Sequence, residues 1–266
     1  MIFTGAHWYY GLLQLGLLAS EVVFGLTVAK SRPILRKILL VAIAVWFLGR
    51  KTGEIIKNGE VPFDFSAVAY FTLSIIVLLP TRQTFFLGSF CGFIAGSLYT
   101  LTMIIVPEIH FSRAGDYTVI NAMFNHNMLL MTSFLMSSEK KFSLKDLHWI
   151  PLYIVAYFMY ALLVKDNFNI TNVATTFQIL DGTIINLLLP DYVPGIGYYF
   201  LYYIFALALL TGFVSAVYLL NRYMHKSDPY RLRLTGEERI FDFGYRFYDF
   251  GILKLKNPKF KASYIY

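Results

Sequence analysis

TFFLGSFCGFIAGSLYTLTMIIV, residues Thr84 to Val106, runs without a single charge. A helix needs about 20 apolar residues to cross a hydrocarbon core about 30 Å thick. This stretch is long enough. Six others resemble it in length and character: Trp8–Ala29, Ile34–Ile55, Pro62–Leu79, Asp116–Met136, His148–Val164 and Gly197–Leu220. The pattern predicts an all-α polytopic membrane bundle of about seven transmembrane helices over residues 1–220.

Composition agrees. Of 266 residues, 57% are hydrophobic and 15% charged, against about 45–50% and about 25% in soluble domains. That gap excludes a soluble enzyme of this length, a disordered chain and a coiled coil. The lone Cys91 excludes an intramolecular disulfide and any Cys-based metal site. No cofactor and no metal is expected. The net charge of +7 reports orientation rather than nucleic-acid binding.

Placing the N-terminus outside puts Lys30, Arg32, Arg36, Lys37, Arg82, Lys140, Lys141 and Lys145 inside, together with the basic tail. Only Arg50, Lys51, Lys57, Arg113 and Lys165 then fall outside. The positive-inside rule favours this arrangement, with the C-terminus cytoplasmic. Arg50–Lys57 is its main blemish. The N-terminus lacks a basic n-region and a small-residue cleavage site, so the first span is expected to remain. Residues 165–196 form an outer loop, and Ile179–Leu189 within it is too short to span. It reads as an interfacial or re-entrant cap helix. The tail 221–266 is basic and aromatic, and suits the cytoplasmic lipid surface. The expected location is a membrane, the plasma membrane if the source is bacterial. Asn169-Ile-Thr171 is a glycosylation sequon that matters only in a eukaryote.

Span four carries Gly88, Gly92 and Gly96 on one helical face. Small residues at this spacing let another backbone approach closely. Cys91 beside them reads as a packing residue.

Against so apolar a background the polar exceptions are few, and intramembrane ionisable groups are expensive. His126 lies near mid-span in Asn121-Ala-Met-Phe-Asn125-His126-Asn127. Imidazole exchanges a proton near neutral pH, so His126 is either a general base or a hydrogen-bonded packing residue. Pro62-Phe-Asp64-Phe-Ser66 opens span three. Asp64 suits the positive end of a helix dipole. Ser66 becomes a nucleophile only beside a base. Glu21 sits mid-span in the first helix with no evident partner. Glu108 and His110 read as rim residues, and Asn172 as the cap of a short helix.

In this order, Pro62-Phe-Asp-Phe-Ser66, the Gly-rich span ending in Pro107-Glu-Ile109, His126 and Thr171-Asn172-Val resemble the YwaF-type integral membrane family. That family includes animal transmembrane acyltransferases acting on ether phospholipids. The resemblance covers about Leu35 to Leu220. It implies that Ser66 occupies the position of the family's acyl-carrying Cys, Asp64 that of its first His, and His126 that of its later His. Asn172 matches the family's Asn before Tyr, although Val follows here.

Two readings stand. In the first, the chain is an intramembrane lipid acyltransferase or lipid hydrolase. Ser66 attacks an acyl carbonyl, His126 serves as base, Asp64 orients it, and Asn125 or Asn172 donates to the oxyanion. In the second, it is a non-catalytic bundle that binds a lipid or small molecule, a transporter or an assembly partner, with Glu21 among the binding groups. Both make membrane lipid the partner and exclude nucleic acid. The sequence leaves the oligomeric state open.

Overall fold

The computed structural model describes residues 6–59, 61–62, 64–80, 84–112, 114–168 and 196–225. Every regular element among them is helical. In chain order these are α1 (Trp8–Ser31), α2 (Pro33–Asn58), α3 (Phe65–Leu78), α4 (Phe85–Ile105), α5 (Glu108–Phe111), α6 (Asp116–Glu139), α7 (Trp149–Phe168) and α8 (Ile196–Met224). A 3₁₀ turn, Leu144–His148, leads into α7. The interfacial helix expected at Ile179–Leu189, Asn172 and most of the tail lie outside the described residues.

Local chemistry sets the breaks. Pro33 opens α2 at a position where its missing N–H costs nothing. Gly59 ends α2 in the left-handed conformation, φ 68°, which glycine adopts without a Cβ penalty. Pro107 follows the end of α4. Asp116 lies in the first turn of α6, where a carboxylate favours the helix dipole. Ser143 and Asp146 form a reciprocal capping box on the 3₁₀ turn.

Among the described residues, four helical stretches are long and apolar enough to cross a membrane: Trp8–Ser31, Phe85–Ile105, Leu144–Val164 and Leu207–Met224. α3 has 14 residues, about 21 Å at 1.5 Å per residue. α2 and α6 are long, but charged and amide side chains lower their hydropathy. Large apolar side chains such as Val23, Val45, Leu79, Leu163 and Leu219 point outward. An apolar exterior of this kind suits a hydrocarbon solvent.

Contacts fix the two ends of the bundle. At the first end, His7 precedes α1 and donates its backbone N–H (2.6 Å) and Nδ1 (2.8 Å) to the Glu108 carboxylate. Its ring stacks on Phe111 at 4.0 Å. At the second end, Arg36 of α2 donates to Glu139 of α6 at 2.6 Å and to the Ala29 carbonyl of α1 at 2.8 Å. Asn221 of α8 donates to the carbonyls of Ser137 and Lys140 and accepts from the Phe142 N–H. Thus α1 begins at the first end and α8 finishes at the second. α8 runs on through the buried Asn221 to Met224, past the expected start of the tail.

α6 and α4 form the core pair. The Gly stripe does what its spacing implies. A Cβ at Gly92 would lie 2.6 Å from the Leu129 carbonyl oxygen, and one at Gly96 would lie 2.7 Å from the Leu130 nitrogen. Serines seal the same seam. Ser89 Oγ lies 3.0 Å from Ser133 Oγ and 2.6 Å from Ser137 Oγ, and Ser133 donates back to the Ser89 carbonyl at 2.7 Å. Cys91 is fully buried in the adjoining apolar core with Phe85, Phe86 and Phe90.

Candidate functional site

α6 distributes its polar run to three neighbours. A helix advances 100° per residue, so consecutive side chains leave it in different directions. Asn125 turns to α2, His126 to α4 and Asn127 to α1.

Asn127 makes a reciprocal amide pair with Gln14. Gln14 Nε2 donates to Asn127 Oδ1 at 2.7 Å, and Asn127 Nδ2 donates to Gln14 Oε1 at 3.0 Å. The same pair bonds to Thr100 Oγ1 and the Met123 carbonyl. Its hydrogen bonding is internal, and both amides are buried. This cluster ties α1, α4 and α6 together.

Asn125 leads to charge. Its Nδ2 donates to the Asn121 carbonyl at 2.7 Å, and its Oδ1 accepts from Arg50 Nη1 at 2.8 Å. Arg50 Nε also donates to Glu54 at 2.9 Å, and Lys51 Nζ lies 2.6 Å from the other Glu54 oxygen. Lys51 stands 5.0 Å from the centre of the Tyr70 ring. Arg50 and Lys51 fall within the expected second span, Ile34–Ile55; α2 continues past them to Asn58, and Arg50 reaches α6. Two cations here share one carboxylate. Arg50 and Lys51 are each 20% exposed at the side chain.

His126 lies beside this group. Its Nδ1 donates to the Ala95 carbonyl at 2.9 Å. A carbonyl only accepts, so Nδ1 carries the proton and Nε2 keeps its lone pair in the neutral ring. The ring stacks on Tyr99 at 4.2 Å, with 3° between planes. Tyr70 lies 6.3 Å away, centre to centre. Beyond Tyr99, His110 packs at 4.5 Å and reaches Thr102 Oγ1 at 2.9 Å. The outcome is an aromatic wall beside a cationic pair, at the first end of the bundle.

Ser66 stands one turn above Tyr70 on α3, about 6 Å along the axis, and is half-buried. It forms no hydrogen bond with His126. α3 packs mainly on α2 and α4, while α6 packs on α4 and α1. Asp64 occupies the N-cap position of α3, is exposed, and bonds to neither residue. Glu21 lies apart, toward the second end, and is buried on α1, which packs mainly on α6 and α4. Glu108 opens α5 at the first end and is partly exposed. Its hydrogen bonds from His7 hold its carboxyl below the ordinary carboxylate range.

Sequence reasoning passed over Gln14, Arg50, Lys51, Tyr70 and Tyr99. For Arg50 and Lys51 a signal existed. Glu54 follows them at i+4 and i+3, helical spacings for ion pairs. Tyr70 and Tyr99 carried no signal among 45 Phe and Tyr residues. No known family model, curated protein or solved structure matches the chain.

Proposed function

We propose that the chain is a seven-span integral membrane protein, N-terminus outside and C-terminus cytoplasmic, that binds the anionic headgroup of an outer-leaflet lipid. The observation that carries this is the sharing of Glu54 by Arg50 and Lys51, which leaves one positive charge among low-dielectric walls. A partly buried charge without a full counter-charge attracts an anion, and a lipid phosphate supplies one. Asn125 fixes the guanidinium from one side. The Tyr70 hydroxyl and His126 Nε2, neither bonded within the described residues, add polar contacts. The topology rests on the basic residues: eight fall inside before the tail is counted, against five outside.

The test uses full-length protein in nanodiscs, with lipid retention followed by native mass spectrometry. Phosphatidylglycerol should bind more tightly than phosphatidylcholine. Arg50→Met should weaken the anionic lipid by about 10–100-fold, from a charged hydrogen bond worth about 1.5–3 kcal/mol. Glu54→Gln, which removes the competing carboxylate, should tighten it. Equal retention of the two lipids, with no response to Arg50→Met, refutes the reading.

A second reading keeps acyl chemistry at the same site, as the resemblance to the YwaF-type family implies. The free Nε2 of His126 favours it, because that is the atom a general base uses. Ser66 would be the nucleophile and Asp64 a nearby charge. This reading requires Ser66 to move into hydrogen-bond reach of His126. Labelling by a fluorophosphonate probe, lost in both Ser66→Ala and His126→Ala, would support it. Labelling unchanged in Ser66→Ala would remove it.

A further inference from the structure

Glu21 is the outlier of the bundle. Its residue is 7% exposed, and its Oε2 is buried with no hydrogen-bond partner. It forms no ion pair with any described residue. On the same helix, Leu18, Val22 and Leu26 pack into an apolar cluster with Leu130 and Phe134 of α6. Phe93 of α4 and Met224 of α8 close the same cluster.

Among the described residues, cations on the neighbouring helices are engaged elsewhere. On α2, Arg36 pairs with Glu139, while Arg50 and Lys51 pair with Glu54. On α6, His126 donates to Ala95 and stacks on Tyr99 of α4. Cys91 of α4 lies in the other core cluster. On α8, Arg222 stands over Tyr218, and His225 meets the Ser137 carbonyl. Two turns toward the first end, Gln14 is saturated by Thr100 and Asn127. One turn the other way, Gly25 lies so close to α6 that a Cβ would stand 2.8 Å from Phe134 Cβ. No counter-charge among the described residues reaches Glu21, and the seam toward Gly25 is tight.

An isolated carboxylate in such surroundings is strongly disfavoured, and the group neutralises instead. We propose that Glu21 is a proton-binding site in the membrane interior, holding a neutral carboxylic acid in the α1–α6 seam at neutral pH and exchanging that proton with water. One proton adds to a carboxylate oxygen, and no other bond changes. Loss of the proton leaves a bare charge between apolar walls. α1 must then admit water or a cation, which makes the α1–α6 contact depend on protonation. This inference does not rest on the headgroup site, which lies nearer the first end.

The experiment is infrared spectroscopy of full-length protein in lipid bilayers, with isotopically labelled glutamate. Wild type minus Glu21→Gln should show the carbonyl stretch of a protonated acid at neutral pH. The band should shift in heavy water and give way to carboxylate bands as the pH is raised. Glu21→Leu provides a second reference, and the wild-type titration stands if neither variant folds. Carboxylate bands already present at neutral pH would overturn the proposal. So would an acid band that neither titrates nor shifts in heavy water.

Discussion

Gly96→Ala tests the seam on which the site is built. The added Cβ would stand 2.7 Å from both the Cβ and the nitrogen of Leu130, and 2.8 Å from the His126 carbonyl oxygen. Carbon atoms pack comfortably at about 3.5–4.0 Å, so α4 and α6 must separate locally by roughly 1 Å. Two of the three obstacles are backbone atoms, which cannot swing aside as a flexible side chain would. Overpacking of this kind costs about 1–3 kcal/mol. The helix preference of Ala over Gly returns up to about 1 kcal/mol. Separation also strains the bond from His126 Nδ1 to Ala95, 2.9 Å long and one residue from the insertion. Such a bond contributes about 1 kcal/mol. The net expectation is a loss of about 1–3 kcal/mol, with weaker binding of anionic lipid. The assay is reversible unfolding in mixed micelles, followed by circular dichroism. Gly16→Ala and Gly49→Ala are the controls, because a Cβ at either meets no atom within 4 Å. They should equal or exceed wild type. Gly96→Ala matching those controls would refute the close-approach argument.

Three further outcomes follow from the contacts. Asn221→Ala strips partners from the carbonyls of Ser137 and Lys140 and from the Phe142 N–H, and should cost about 2–4 kcal/mol in the same unfolding assay. Glu139→Gln breaks the buried pair with Arg36 and should cost about 3–5 kcal/mol, whereas Arg36→Met combined with Glu139→Leu should cost less, measured by a double-mutant cycle. At the first end, Glu108 has its carboxyl lowered by the hydrogen bonds from His7. Its contribution is therefore complete above the ordinary Glu value of about 4.3 and fades as pH falls through the lowered folded value. The difference in melting temperature between wild type and Glu108→Gln should be present at neutral pH and vanish in acid.

Much of this molecule was legible as a string of letters. Each of the seven apolar stretches is largely helical, because apolar runs of that length have few other ways to satisfy their backbone in lipid, although only four of the described helical stretches are long and apolar enough to cross a membrane. The Gly88–Gly92–Gly96 stripe was readable as a contact surface, since a spacing of four places residues on one face. Cys91 was readable as packing. Other features were not. A helix has no memory of its neighbours, so nothing in Arg50-Lys51 told that the guanidinium would reach Asn125 across the bundle. The Gln14–Asn127 pair joins residues 113 positions apart, a distance that local pattern does not resolve.

His126 shows the division most clearly. Its sequence neighbourhood made it a candidate and set its place along α6. The tertiary structure decided which nitrogen carries the proton, by presenting the Ala95 carbonyl, and which partner stands near, by placing Tyr99 rather than Ser66 against the ring. Hydropathy and periodicity act along one chain, so the sequence by itself determined the class, the helices and the small-residue seam. Charge pairing, tautomer and the isolation of Glu21 depend on how helices face one another, and only packing sets that.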